Sequence, residues 1–416
     1  MDSIHIQGGM PLQGKVRIQG SKNAALPILA ATLLTGESSF LENCPRIADV
    51  YAMLGLLRGL GCQVSWREDG VLIDTKNIRY TEMKSDAVSG MRSSLCLLGA
   101  LTGRCGEAAM RYPGGCVIGK RPIDLHIRAL EEMGVEFGEE EGIMRAKAPA
   151  LHGAEITLEK PSVGATENVL LAAVMAEGKT VLYGGAKEPE IDALCGFLCQ
   201  CGADIRKGED CLEIYGGRTL YGTHYRIPAD RIVAGTYLLG GIGIGGSLFL
   251  EEAPAGELGE VIRVAEEMGG RICTCPEGIF VQAPERPAGV KLLSTAPYPG
   301  FPTDLQSVFL AVSLVAEGEV RIEEKIFENR FRIREELQKM GAFVEMTGAD
   351  SVLVHPVERL RGAEVEAREL RGGAALVVAG LMAEGETVVK GCAYIERGYA
   401  NICRDFRELG ARVTGV

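Results

Sequence analysis

Val174-Met175-Ala176-Glu177-Gly178 ends an apolar helical pattern, and Thr180-Val181-Leu182-Tyr183 follows as a β-branched strand. A glycine at the C′ position of a helix takes positive φ without a Cβ penalty, and β-branched residues suit a pleated surface. The same stretch recurs as Leu314-Val315-Ala316-Glu317-Gly318 and as Leu381-Met382-Ala383-Glu384-Gly385 before Thr387-Val388-Val389. Some 23 to 25 residues beyond each of these glycines a second helix closes on another one: Cys201-Gly202-Ala203, Met340-Gly341-Ala342 and Leu409-Gly410-Ala411. Leu60-Gly61-Cys62, Met133-Gly134-Val135 and Met268-Gly269-Gly270 complete the set, at intervals of 67 to 73 residues.

Such periodicity marks an internally repeated fold. Six units of about 70 residues fill the 416-residue chain. Each reads as strand, polar link, first helix, strand, second helix and closing strand pair, with helices buried against sheets. The fold class is therefore α/β (α+β), in six βαβαββ-like repeats. Six units divide into two lobes of three, residues 20–229 and a discontinuous 1–19 plus 230–416. The crossings fall at Gly20-Ser21 and Ile227-Pro228-Ala229, where breakers precede a first helix. The strand pattern in residues 4 to 19 is expected to complete the second lobe.

Composition narrows the function. A formal charge of -12 repels phosphate backbones, and 6% aromatic content offers little stacking surface, so nucleic acid is excluded as a partner. Any anionic ligand must meet a local basic pocket. Met-Asp-Ser-Ile-His-Ile has no basic n-region or apolar h-region, and 13 scattered cysteines suit reduced thiols, so a cytoplasmic protein is expected. The uncharged run Ile232 to Leu250 carries six glycines and the repeat pattern, which points to core and not to membrane insertion. Cys195, Cys199 and Cys201, with Cys273 and Cys275, lack a partner CxxC or a nearby His, so core filling is the expected role and no metal is expected. Gly241, Gly243 and Gly246 satisfy G-x-G-x-x-G but follow a helix and precede a strand, the reverse of a dinucleotide site.

The chemistry collects at the starts of the first helices. Lys22-Asn23, Met91-Arg92-Ser93-Ser94, Ser162 with Thr166, Asp230-Arg231, Pro302-Thr303-Asp304 and Leu370-Arg371 occupy those places. Ser, Thr and Asp there serve as caps. Lys22, Arg92, Arg231 and Arg371 oppose the helix dipole, which capping does not explain and anion binding does. A further candidate is Cys116, within Pro113-Gly114-Gly115-Cys116-Val117-Ile118-Gly119-Lys120-Arg121, where glycines free the loop and neighbouring cations favour the thiolate. A small apolar filler in a Gly-Gly turn is the competing reading.

Ser21-Lys22-Asn23-Ala24-Ala25-Leu26-Pro27, Pro113 to Gly119, Arg121-Pro122-Ile123-Asp124-Leu125-His126, Phe301-Pro302-Thr303-Asp304, Phe327-Glu328-Asn329-Arg330-Phe331 and Arg397-Gly398-Tyr399 together resemble the UDP-N-acetylglucosamine 1-carboxyvinyltransferases, a family of enolpyruvyl transferases. The resemblance runs from the first strand to the last unit. It implies a two-lobed inside-out α/β barrel, three repeats per lobe. It also implies transfer of the enolpyruvyl group of phosphoenolpyruvate to the 3-hydroxyl of UDP-N-acetylglucosamine with release of phosphate. That is the first committed step of peptidoglycan synthesis, and it serves cell-wall growth, cell shape and division. Neither cofactor nor metal is implied, and the oligomeric state is left open.

By the same resemblance Lys22, Arg121 and Arg397 are phosphate-side cations, while Arg92, Arg330 and Arg371 surround the reacting centre. Guanidiniums suit carboxylate and phosphate through planar paired donors. Asp304 takes the position of general base, with N-cap as its alternative role. Asn23 and Asp304 lie near the sugar, and Ile326 joins the substrate-binding set. Arg121, Pro122, Ile123, Asp124, Leu125, Lys160, Ser162, Val163 and Gly164 form the nucleotide pocket. Cys116 is the loop thiol that adds to phosphoenolpyruvate, as proton donor or in product release, and it is the expected target of fosfomycin.

Three positions depart from the family pattern: Glu369 in Glu369-Leu370-Arg371 stands where Asp is common, Pro161 removes a backbone donor, and Lys120 adds a cation. A 5-enolpyruvylshikimate-3-phosphate synthase-like transferase is the nearest rival, separated by the Pro-Gly-Gly-Cys loop. A weakly catalytic UDP-sugar-binding regulator is the other. His126 is expected to be a satisfied helix-start residue and not a catalyst.

Overall fold

The computed structural model describes residues 2–83, 91–112 and 123–416. Two compact units emerge, one from 2–19 with 229–416 and the other from the described residues between 20 and 228.

Six four-stranded sheets share one plan. In the sheet of Glu155–Thr157, Lys179–Tyr183, Cys211–Tyr215 and Asp204–Lys207, the first pair is parallel and the others are antiparallel. The other five sheets repeat that order and sense. Three of them borrow a strand from elsewhere in the chain. His224–Arg226 pairs in parallel with Ser38–Glu42. Leu12–Arg17 pairs in parallel with Gly246–Glu251, and Ser3–Gln7 lies between Glu386–Lys390 and Arg412–Gly415, with Ile6 opposite both Thr387 and Val413. Residues 3–17 thus supply the strands that the sixth and fourth repeats lack, and Ile4 and Ile6 are buried there.

The first helices of the repeats are α1 (Lys22–Ala31), α2 (Cys96–Cys105), α3 (Val163–Ala173), α4 (Arg231–Ile244), α5 (Thr303–Ser313) and α6 (Leu370–Met382). They are buried along most of their length and largely apolar, with a few polar residues such as Asn168 and Gln306 enclosed among them. Every residue of α6 from Arg371 to Leu381 is buried, and so is every residue of α4 from Arg231 to Ile242. Helices α4, α5 and α6 pack on one another, and α2 packs on α1 and α3. The second helices are one-sided: Gly259–Glu267 buries Val261, Val264 and Ala265 and pairs Arg263 with Glu260 and Glu267 outside.

Two local expectations change. Helix α3 stops at Ala173, short of Ala-Glu-Gly, because Glu177 is already in the sheet edge: its N–H donates to Leu151 and its carbonyl accepts from Gly153. Gly178 still takes φ 94°, and Gly318 and Gly385 match it at 87° and 90°, but they lie in the bends just before strands and do not cap helices. Arg92 opens a 3-10 turn, Arg92–Leu95, ahead of α2. The glycines of G-x-G-x-x-G serve packing: Gly241 lies in α4, where a Cβ would meet Leu248 Cδ2 at 2.5 Å as the chain doubles back. No helix of the described residues is long and apolar enough to cross a membrane.

Gly99 marks a close approach of α2 to α3. Its N–H donates to Asn168 Oδ1 at 2.7 Å, and an added Cβ would sit 2.5 Å from the Asn168 carbonyl oxygen. Ala in place of a helical Gly ordinarily stabilises by about 1 kcal/mol; here the sign reverses. Gly99→Ala is expected to destabilise the chain by about 1–3 kcal/mol in urea unfolding, as overpacking does.

Candidate active site

In the unit built from 229–416, α5 begins at Thr303 with Pro302 in the cap position, so Asp304 is inside the first turn. Its carboxylate does not cap. Oδ1 accepts from Arg330 Nη2 and Oδ2 from Arg371 Nη2, both at 2.7 Å. The guanidiniums are 4% exposed by residue, whereas the Asp304 side chain keeps 24%. Buried charges persist only when paired. Burial works against the charge on Arg371, but Asp304, Tyr399 and Asp230 outweigh it and hold the guanidinium above its ordinary range.

Glu369 explains how Arg371 is held at a helix start. Its carboxylate caps α6, accepting from the Gly372 N–H and from the Arg371 N–H at 2.8 Å, and Oε2 lies 3.6 Å from Arg330 Nη1. Asp230 caps α4 through the N–H groups of Ile232 and Val233 at 2.8 and 3.0 Å. Arg231 is buried, with its guanidinium carbon 5.6 Å from the Tyr298 ring centroid.

Arg397 is half-buried on the turn after Cys392–Ile395. Gln19 clasps that turn: its Nε2 donates to the Gly398 carbonyl at 3.0 Å and its Oε1 accepts from Ala400 N–H at 2.8 Å. Tyr399 lies between, buried, with its hydroxyl 2.8 Å from Thr236 Oγ1. Ile326 is on the surface of the loop after Val320–Glu323.

In the other unit, Lys22 is the first residue of α1, where Ser21 Oγ caps the Ala24 N–H. Its Nζ lies 3.0 Å from Asp49 Oδ2, a buried carboxylate on Ala48–Leu60 that offsets the cation. Asn23 and Arg92 are half-buried. Ser162 caps α3 through Ala165 N–H at 3.4 Å, which puts Val163 and Gly164 in the first turn. Ile123 precedes Asp124–Glu131, a helix that packs on α3, and Asp124 is exposed while Leu125 is buried. Lys160 is exposed. Cys116, Lys120, Arg121 and Pro122 lie outside the described residues.

His126 welds the 123–125 and 162–164 segments. The ring lies against Gly164, where a Cβ would sit 2.8 Å from Cε1, and Nδ1 accepts from Asn168 Nδ2 at 2.8 Å. Burial, then the Arg92 charge, press its pKa down to about 4, so it is a neutral spacer and not a proton carrier. Gln19 and Asp49 escape sequence reading because neither carries a motif.

A His of lowered folded pKa contributes stability that is complete above its unfolded pKa and is lost as pH falls towards the folded one. For His126 that window runs from 6.5 down to about 4. His126→Gln is expected to lose less stability than the parent between pH 7 and pH 4, by up to about 3 kcal/mol, in urea titrations at each pH.

A family model described as EPSP synthase (3-phosphoshikimate 1-carboxyvinyltransferase) matches residues 6–406. The chain is 43% identical to UDP-N-acetylglucosamine 1-carboxyvinyltransferase 2 of Caldanaerobacter subterraneus subsp. tengcongensis, covering 100% of both. It is also 43% identical to UDP-N-acetylglucosamine 1-carboxyvinyltransferase of Idiomarina loihiensis, again covering 100% of both. Among solved structures, the enolpyruvyl transferase NikO from Streptomyces tendae superposes with a TM-score of 0.88 at 23% identity, covering 99% of this chain and 98% of that one. EPSP synthase from Acinetobacter baumannii gives 0.76 at 18% identity, with 100% of each chain covered. The two superpositions bear on the fold, and the full-length identities bear on descent: the chain belongs to the enolpyruvyl transferase family, among the UDP-N-acetylglucosamine 1-carboxyvinyltransferases.

Proposed function

We infer that the chain transfers the enolpyruvyl group of phosphoenolpyruvate to the 3-hydroxyl of UDP-N-acetylglucosamine, releasing phosphate and committing the sugar to peptidoglycan synthesis in the cytoplasm. The observation that carries this reading is end-to-end identity of 43% with transferases of that name.

The reaction proceeds by addition and elimination. The sugar oxygen bonds to C2 of phosphoenolpyruvate as its proton leaves to a base and C3 gains a proton. The tetrahedral intermediate then loses phosphate from C2 and a proton from C3, which restores the double bond. Asp304 is the base. Two guanidiniums at 2.7 Å fix its direction, while its partial exposure leaves it reachable. Arg330, Arg371 and Arg92 surround the reacting centre, and Lys22, Arg121 and Arg397 take the phosphate side. Asn23 and Asp304 lie near the sugar, and Ile326 belongs to the substrate-binding set. Residues 121–125 with Lys160, Ser162, Val163 and Gly164 hold the nucleotide; the His126 weld between the described parts of those segments supports their joint role. Cys116, flanked by glycines in the sequence, adds to phosphoenolpyruvate, as proton donor or in product release.

Phosphate release is expected only when phosphoenolpyruvate and UDP-N-acetylglucosamine are both present, with shikimate 3-phosphate unable to replace the sugar nucleotide. Turnover no higher than that of a Cys116→Ala, Asp304→Ala double variant would sink the enzyme reading. Mass spectrometry after fosfomycin treatment with the sugar nucleotide present is expected to place one adduct on Cys116; an unmodified Cys116 peptide contradicts its assignment.

A further inference from the structure

Glu324 is a 2%-exposed carboxylate placed just after the strand Val320–Glu323. Its Oε1 accepts from Thr295 Oγ1 at 2.9 Å, from Ile326 N–H at 2.8 Å and from Phe327 N–H at 3.1 Å, and its Oε2 accepts from Thr303 Oγ1 at 2.9 Å. Thr295 returns the link by accepting from Lys325 N–H at 2.9 Å. One carboxylate therefore joins three segments that are separate in sequence. A buried polar side chain is kept in place where its hydrogen bonds are made.

Two arms lead from Glu324 to the reacting centre. The first runs through Thr303, which opens α5 and is followed by Asp304. The second runs through Phe327, whose ring centroid lies 5.1 Å from the Arg330 guanidinium carbon. Asp304 and Arg330 then meet at 2.7 Å and close the circuit.

We propose that Glu324 is a positioning residue for the transfer reaction, holding Asp304 and Arg330 in mutual register through Thr303 and Phe327 without touching substrate. The proposal rests on the enolpyruvyl transfer reading. It predicts that loosening either arm degrades the chemical step more than it degrades substrate binding, because small displacements of a catalytic group cost rate steeply.

The test compares Thr303→Val, Thr303→Ser and Glu324→Gln in phosphate-release kinetics, with UDP-N-acetylglucosamine affinity by calorimetry and folding by thermal melts. Thr303→Val cuts the first arm while sparing the loop bonds, and kcat is expected to fall about 10- to 100-fold with sugar-nucleotide Kd within about threefold of the parent. Thr303→Ser restores the hydroxyl and is expected to rescue kcat. Glu324→Gln keeps the shape but exchanges an acceptor for a donor, and should fall between the two. Parental kcat in Thr303→Val overturns the proposal. So does a loss shared equally by kcat, affinity and melting temperature, or a loss that serine fails to rescue. An inactive parent chain would instead refute the transfer reading, which separates the two failures.

Discussion

The structure around the candidate site depends on one carboxylate held by two buried guanidiniums. Asp304 accepts from Arg330 and Arg371 at 2.7 Å each, and neither arginine has more than 4% of its surface in water. Unpaired, such cations would be strongly destabilising. Paired, they fix α5, α6 and the 330 turn relative to one another, since Asp304 is on the first, Arg371 on the second and Arg330 on the third. The first helices are buried and largely apolar, and the charged groups of the candidate site sit at their N-terminal ends. Glu369 and Asp230 complete the arrangement by capping α6 and α4.

The unit built from residues 20–228 solves the same problem with different groups. Lys22 at the start of α1 is offset by Asp49, and Ser162 caps α3. His126 is kept neutral by burial and by Arg92, which lets an imidazole act as packing material between two segments assigned to the nucleotide. In both units a cation at a helix start is matched by a carboxylate from another element. A dipole-opposing cation is thus tolerated with a nearby counter-charge.

Much of this is legible in the chain. The glycine-ended turns announce six repeats, and the six sheets share one strand order. The helix-start cations fall where the periodicity puts them, at Lys22, Arg231 and Arg371. Asp304 is legible by position but not by partner: Pro302-Thr303-Asp304 reads equally as a cap, and only the fold brings Arg330 and Arg371 to it. Gln19, Asp49 and Glu324 are not legible at all. Gln19 bonds residues more than 370 positions away, and Glu324 collects donors on either side of a strand, so no local spacing betrays them. The Ala-Glu-Gly stretch misleads about where helices end, because its Glu backbone is taken by a bridge to the preceding segment.

The proposed chemistry centres on Asp304 taking the sugar proton from between its two arginines. Rapid-quench single turnover of Asp304→Asn, with phosphoenolpyruvate and saturating UDP-N-acetylglucosamine, tests this most directly. The variant is expected to bind the sugar nucleotide but to form tetrahedral intermediate and product about 100- to 10,000-fold more slowly than the parent. Formation of both at the parental rate would contradict it.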